Sequence, residues 1–388
     1  MQPGDHGDEQ NDEPAAAKFP EPPESALRAA LTRRGALLGM GAVAGFAAVD
    51  VGGFAYAGGW LGRLGPDTLT PPRFADRFEH VYGRHDGFRR NHAKGLSATG
   101  TFASNGAGAA VCRAAVFQPG TVPLIGRFSL GGGLPDQADK PDTVRGLGLL
   151  FQTSNGQQWR TAMLNIPVFT DSTPAGFYER LLASKPQPDT GKPDPQKMAA
   201  FLDRHPETAA ALKIIKQSPP SAGFADSPYH GLNAFQFTND AGATVPVRWS
   251  AVPQEASPLA AAPPAPTSGV GRDYLFDDLI RTVAQRPVKW QLILTIGEPG
   301  DPTNDATKAW PQSRRAIDAG TITITAVQTE EAGNARDINF DPTVLPDGIS
   351  LSDDPLPPAR SAVYARSFTR RAEEPKSPSE VNVSQVRS

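Results

Sequence analysis

The chain has 388 residues and a formal net charge of −3, so it can bury a sizeable core and has no basic excess pointing to nucleic acid. Its one cysteine, Cys112, excludes an intrachain disulfide framework and a multi-cysteine metal site, and its six histidines show no paired zinc spacing. Thirty-nine prolines, about twice average usage, suit short strands and irregular connections better than a helical bundle.

Residues 1–25 are acidic and almost free of aromatics, which predicts disorder. Paired Arg33-Arg34 then precede an apolar run that reaches Leu61, broken only by Asp50. That pattern at 26–63 reads as a twin-arginine-type export signal or membrane anchor. The run is long enough to span a bilayer, and Ala55-Tyr56-Ala57 offers a cleavage site, so removal and retention both stay open. Either way the folded part ends on the outer side, periplasmic or anchored through residues 35–61 to the inner membrane.

The folded domain is expected over 64–371. Phe74, Phe78 and Val81 at helical spacing predict a helix over 71–84. Strands are predicted over 111–117, 124–130, 147–153, 234–238, 244–251, 290–296 and 321–327, the last with Thr and Ile alternating. Gly106 and Gly108 lack a full dinucleotide fingerprint and read as a turn. Helices are predicted over 179–182, 198–202, 209–216 and 273–284, with loops over 184–195 and 255–271. Residues 372–388 are polar and charged and read as a disordered tail. Strands gathered in the middle with helices between and after them indicate an α+β fold.

Two places carry chemistry. Arg360 and Tyr364 stand four residues apart, which on a helix sets the guanidinium against the phenol oxygen. A free phenol has a pKa of about 10, so a tyrosinate at neutral pH needs roughly 4 kcal/mol of help. A nearby cation supplies part of that and a bound ferric ion most of it. A tyrosinate ligand to iron makes sense of the pair, but taken alone such a pair is far more often a stacked, solvated one on a surface helix. Far upstream, His92 opens the string His92-Ala93-Lys94-Gly95.

The stretch Phe340-Asp341-Pro342, Pro346-Asp347-Gly348-Ile349 and Arg360 to Tyr364 resembles the proximal segment of haem catalases, whose tyrosine is the axial haem ligand. His92-Ala93-Lys94-Gly95 with Gly100 and Phe102 is similar to that family's distal-histidine segment. Arg127-Phe128-Ser129, Asp142 to Leu147, Trp159, Asn165 to Phe169 and Tyr229 to Phe235 follow in the family's order. The resemblance covers roughly residues 64–371. It implies an antiparallel eight-stranded β-barrel with haem b (iron protoporphyrin IX) between the barrel wall and surrounding helices. Full-size catalases continue into more helices and in some cases a flavodoxin-like domain. This chain lacks both and so resembles the reduced-size catalase-related peroxidases.

The resemblance also implies roles. Tyr364 is the metal ligand, His92 the acid–base group, Asn165 a donor to peroxide, and Ser129 the partner that orients the imidazole. Arg89, Arg127 and Arg371 are implied for the haem propionates, Arg360 for the proximal tyrosine and Phe169 for the distal haem face. Asn91 stands where the best-known catalases have valine and the related allene oxide synthases threonine, so a polar group there could dampen peroxide disproportionation. The implied function is a haem peroxidase that uses hydrogen peroxide and a small organic reductant, as a monomer or small homo-oligomer. A true catalase, a fatty-acid hydroperoxide isomerase and an exported haem carrier remain as alternatives. A carrier would need only the proximal pair.

Overall fold

The computed structural model describes residues 69–218, 220–255, 271–331 and 333–383. The expected acidic segment 1–25 and leader 26–63 lie outside the described residues, as does nearly all of the 255–271 loop. Among the described residues no helix is long and apolar enough to cross a membrane.

One antiparallel sheet of ten strands dominates: β1 (Gly95–Ser104), β2 (Gly120–Leu130), β3 (Arg145–Gln152), β4 (Gln158–Leu164), β5 (Tyr229–His230), β6 (Phe235–Thr238), β7 (Thr244–Pro253), β8 (Val288–Ile296), β9 (Ala316–Gln328) and β10 (Ile349–Leu351). Eight of them close into a barrel in the order β1-β2-β3-β4-β5-β7-β8-β9, with β9 returning to β1. The pair β6–β10 extends the sheet from β7. Six helices accompany it among the described residues: α1 (Pro71–Tyr82), α2 (Pro174–Ala183), α3 (Pro195–Arg204), α4 (Pro206–Gln217), α5 (Tyr274–Gln285) and α6 (Leu356–Glu373).

The two-residue period of a strand explains how the barrel makes both a core and a site. On β3, Leu147, Leu149 and Phe151 join the interior cluster, which leaves Gly146 and Gly148 on the outer face. On β2, Phe128 and Leu130 point in while Arg127 and Ser129 point out. The interior is packed with rings: Trp159 stacks on Phe151 at 4.9 Å and meets Trp249 edge-on at 5.1 Å. Outside the wall, α1 buries Phe74, Phe78 and Val81 against Leu181 of α2 and Ala359 and Ala362 of α6. Thr70 caps α1 through its hydroxyl.

The structure departs from expectation in four places. Residues 111–117 are no strand: Ala107–Ala110 and Ala115–Phe117 form tight 3-10 turns, and Phe117 plugs the barrel against Trp159 at 5.5 Å. Strands β1, β4 and the short β5 and β10 lie outside the predicted runs: Gly95 to Ser104 is built of small residues with little β preference, and Gln158 to Leu164 sets polar Gln158 and Arg160 beside buried Trp159, Thr161 and Met163. The prolines do more than break chains: Pro71, Pro174, Pro195 and Pro206 each open a helix, where the absent N–H costs nothing. Finally, the tail expected to be disordered from 372 is placed through 383. There Val381 and Val383 alternate into the main apolar cluster and Glu374 pairs with Arg90.

Candidate functional site

A cavity lies between the outer face of β2–β4 and helices α1 and α6. Aromatic rings of Phe74, Phe78, Phe169, Phe177 and Phe340 make much of its wall. Polar groups enter from two sources. One is the barrel side, with Arg127 and Ser129 two residues apart on β2 and His92 just before β1. The other is α6, whose cavity residues Arg360, Val363, Tyr364, Ser367 and Arg371 follow the spacing of one helix face.

His92 is held from several sides. Its Nδ1 lies 3.1 Å from Ser129 Oγ, and its backbone has φ 56°, left-handed for a non-glycine residue. Its ring fits because position 146 is glycine: a Cβ there would sit 2.8 Å from Ser129 Oγ and 3.1 Å from His92 Nδ1. By surface area His92 is only half-buried, because one side of the ring is cavity wall. Enclosure by protein still dominates and, aided by the charges of Arg127, Arg360 and Arg89, pushes its pKa down to about 3. The imidazole is therefore a neutral base at physiological pH.

On α6, Arg360 Nη2 donates to Tyr364 Oη at 3.1 Å, the contact expected of a four-residue spacing. Arg360 is itself fixed by Asn233 Oδ1 at 2.9 Å and by the Ala162 carbonyl at 3.3 Å. Asn233 in turn donates to Asp354 at 2.9 Å. Asn233 belongs to the string Tyr229 to Phe235, but its place behind Arg360 carries no local sequence mark.

The cations have different surroundings. Arg89 donates to the carbonyls of Ala335 and Ile338 at 2.8 and 2.9 Å, and Arg371 donates to the Arg336 carbonyl at 3.4 Å. Among the described residues neither has a carboxylate partner. Burial first, and the nearby Arg127 second, pull Arg89 well below its ordinary value and Arg371 down to about 10. Arg127 differs, because it forms a two-pronged pair with Glu330 at 2.6 and 2.8 Å. Burial raises the pKa of Glu330, but Arg127, Arg89 and Arg336 outweigh it and hold the carboxyl below the usual range.

Asn165 sits between cavity residues Leu164 and Phe169 but is not itself on the wall. Its Oδ1 accepts from the Arg145 backbone N–H at 2.7 Å, which leaves only the amide nitrogen free to act as a donor. Asn91 is on the wall, and its Oδ1 accepts from Gly132 N–H at 3.0 Å, so part of its polarity is already satisfied. Phe169 lines the cavity with its ring 5.7 Å from that of Phe177.

These residues fit a haem. A ring-lined cavity suits an apolar macrocycle, and Tyr364 offers one phenol oxygen for iron. Two guanidinium groups without carboxylate partners among the described residues, Arg371 buried and Arg89 half-buried, suit a molecule carrying two acid groups. Among the described residues no cluster of His, Cys, Asp and Glu could hold a metal ion by itself.

Comparison with known proteins agrees with this geometry. The chain is 39% identical over 309 residues to a catalase-related peroxidase of Synechococcus elongatus, covering 78% of this chain and 89% of the relative. It is 33% identical over 304 residues to one of Mycolicibacterium paratuberculosis, covering 78% and 95%. A solved bacterial catalase superposes with a TM-score of 0.64 at 24% identity, covering 80% of this chain and 62% of the catalase. The sequence pattern of the catalase family matches residues 60–386. A barrel wall that carries His92, a helix face that carries Arg360 and Tyr364, and a match over nearly the whole described chain place this protein in the catalase family.

Proposed function

We propose that this chain is a haem b-dependent peroxidase that reduces hydrogen peroxide with electrons from a small organic donor and retains some catalase activity. As a member of the catalase family it is an oxidoreductase acting on hydrogen peroxide. The observation that carries the reading is His92 and Tyr364 on the walls of one cavity, in a chain similar to catalase-related peroxidases at 39% and 33% identity. Bound haem would supply the redox-active iron, with Tyr364 to hold it as the protein ligand and Arg89 and Arg371 available for its carboxylates.

The protein's own groups move the protons. With Ser129 Oγ accepting the proton on Nδ1, the His92 Nε2 lone pair is free. It can take the proton from one peroxide oxygen and return it to the other. Its neutrality at physiological pH keeps it ready for the first of these transfers. Asn165 can assist only through its amide nitrogen, since Arg145 holds the oxygen. Arg360 holds the phenol oxygen of Tyr364 in place through its Nη2 donor at 3.1 Å.

Oxygen yield tests the balance of activities. With a phenolic dye present, the haem-loaded protein should oxidise dye rapidly and release little oxygen. One oxygen for every two peroxides, unaffected by dye, would instead make it a true catalase. We also propose that the protein acts on the outer side of the inner membrane, as a monomer or small oligomer, on the strength of Arg33-Arg34 and the apolar run after them. Fractionation of cells should find it in the periplasm or membrane, and recovery in the cytoplasm alone would overturn that placement.

A further inference from the structure

After α6 the chain continues as an irregular strap, residues 374–383, laid along the segment that leads to His92. One oxygen of Glu374 accepts from the Gly87 N–H at 3.0 Å and from Arg90 Nη1 at 2.8 Å, and the other accepts from Arg90 Nη2. Ser377 Oγ donates to the Asp86 carbonyl at 2.9 Å. The contact is close because position 87 is glycine: a Cβ there would lie 2.4 Å from the Pro375 carbonyl oxygen. On its other side the strap sends Lys376 Nζ to Asp337 at 3.0 Å, in the turn whose carbonyls hold Arg89 and Arg371. Val381 and Val383 bury the far end in the main apolar cluster. Arg90 and Arg371 line the cavity yet are only 6% and 2% exposed, while Pro375, Lys376 and Pro378 face solvent. At this end of the cavity the strap therefore stands between the wall and water.

We propose that residues 374–383 are a closure over this end of the cavity: the strap must lift before haem can enter or leave, and Glu374 on Arg90 is its latch. This rests on the haem reading above. The other walls belong to the barrel sheet and to helices with buried faces, which open only with the fold. The strap has no regular secondary structure, so side chains at its two ends do most of the holding, and local opening falls to it first. The latch is firm because Glu374 and Arg90 meet out of water, with side chains 7% and 4% exposed, in a two-pronged charge-assisted pair. It is also separable from the wall, because Arg90 pairs independently with Glu79 of α1 at 2.8 Å and keeps that partner when Glu374 lets go.

A closure slows haem in both directions, whereas a mere support for bound haem slows only its release. Stopped-flow uptake of haem by the full-chain apoprotein measures one direction, and transfer from the loaded protein to apomyoglobin measures the other. Glu374→Gln should accelerate both about 10-fold, with their ratio changed less than about threefold. Loss of the carboxylate could loosen the fold, so a second variant, Val383→Ser, frees the far end of the strap without touching Arg90. It should accelerate both directions as well, with near-UV circular dichroism of each apoprotein to confirm an intact barrel. Wild-type rates in either variant would overturn the proposal. So would faster release with unchanged uptake, since the strap would then support bound haem without closing over it. A wild-type protein that takes up no haem would overturn the haem reading and this proposal with it.

Discussion

Replacing Tyr364 with Phe should abolish stable haem binding and leave the apoprotein folded. The substitution removes one oxygen whose described partner is Arg360 Nη2 at 3.1 Å, so the expected cost to the fold is about 1 kcal/mol. Arg360 keeps Asn233 and the Ala162 carbonyl, and α6 keeps its buried Ala359 and Ala362 against α1. What goes is the phenol oxygen assigned to the iron, on the cavity face of α6. The measurement is the Soret band after haem addition and desalting, with near-UV circular dichroism to confirm folding. A variant whose Soret band matched the wild type would end the assignment of Tyr364 as the ligand.

How far the sequence reveals this site depends on whether the chemistry sits in one short stretch. Arg360 and Tyr364 are legible because a helix turns four residues into a contact, and the structure returns that contact. Arg371 continues the same face seven residues on, so it lines the cavity with them. His92 is legible as a residue, but the ion pair near it is not. Glu330 reaches Arg127 across 203 positions, and in the sequence it is one of two adjacent glutamates in a polar stretch. Nothing local marks which of them is buried. The orientation of Asn165 is likewise a matter of register, since its oxygen turns to a backbone N–H on the neighbouring β3.

The fold shows the same division. Trp290 to Ile296 and Thr321 to Val327 alternate by twos and are strands, because one face of each meets the barrel core. Residues 111–117 are as apolar but form turns, since a barrel end needs a plug as well as a wall. An apolar run reports burial, and only its partners decide whether it is a strand. Gly95, Gly146 and Gly148 sit where the outer wall has to admit a side chain, a need set by Arg127, His92 and Phe340 from elsewhere in the chain.

Replacing His92 with Ala should leave haem bound but lower the rate with hydrogen peroxide by roughly 100- to 10,000-fold, the usual range for a lost general acid–base group. Haem uptake should survive because Tyr364 and Arg371 lie on α6, and Arg89, three residues before His92, is held by its own partners, the carbonyls of Ala335 and Ile338. The pH profile supplies an independent sign. A histidine with its ordinary value of about 6.5 would lose base function as the pH fell below neutrality. His92 has its folded-state value depressed to about 3, so the unprotonated base persists down to that range. The wild-type peroxide rate should therefore stay flat from about pH 8 to pH 5, with no inflection near 6.5. The same shift acts on stability. The unfolded chain takes up a proton on this residue below about 6.5 and the folded one does not, so its contribution to stability is full above 6.5 and lost as the pH falls toward 3. Stopped-flow rates with peroxide across that range, for wild type and His92→Ala at equal haem content, decide the matter. Normal turnover in the variant would remove His92 from the mechanism, and a wild-type inflection near 6.5 would mean that the folded protein does not hold the imidazole neutral.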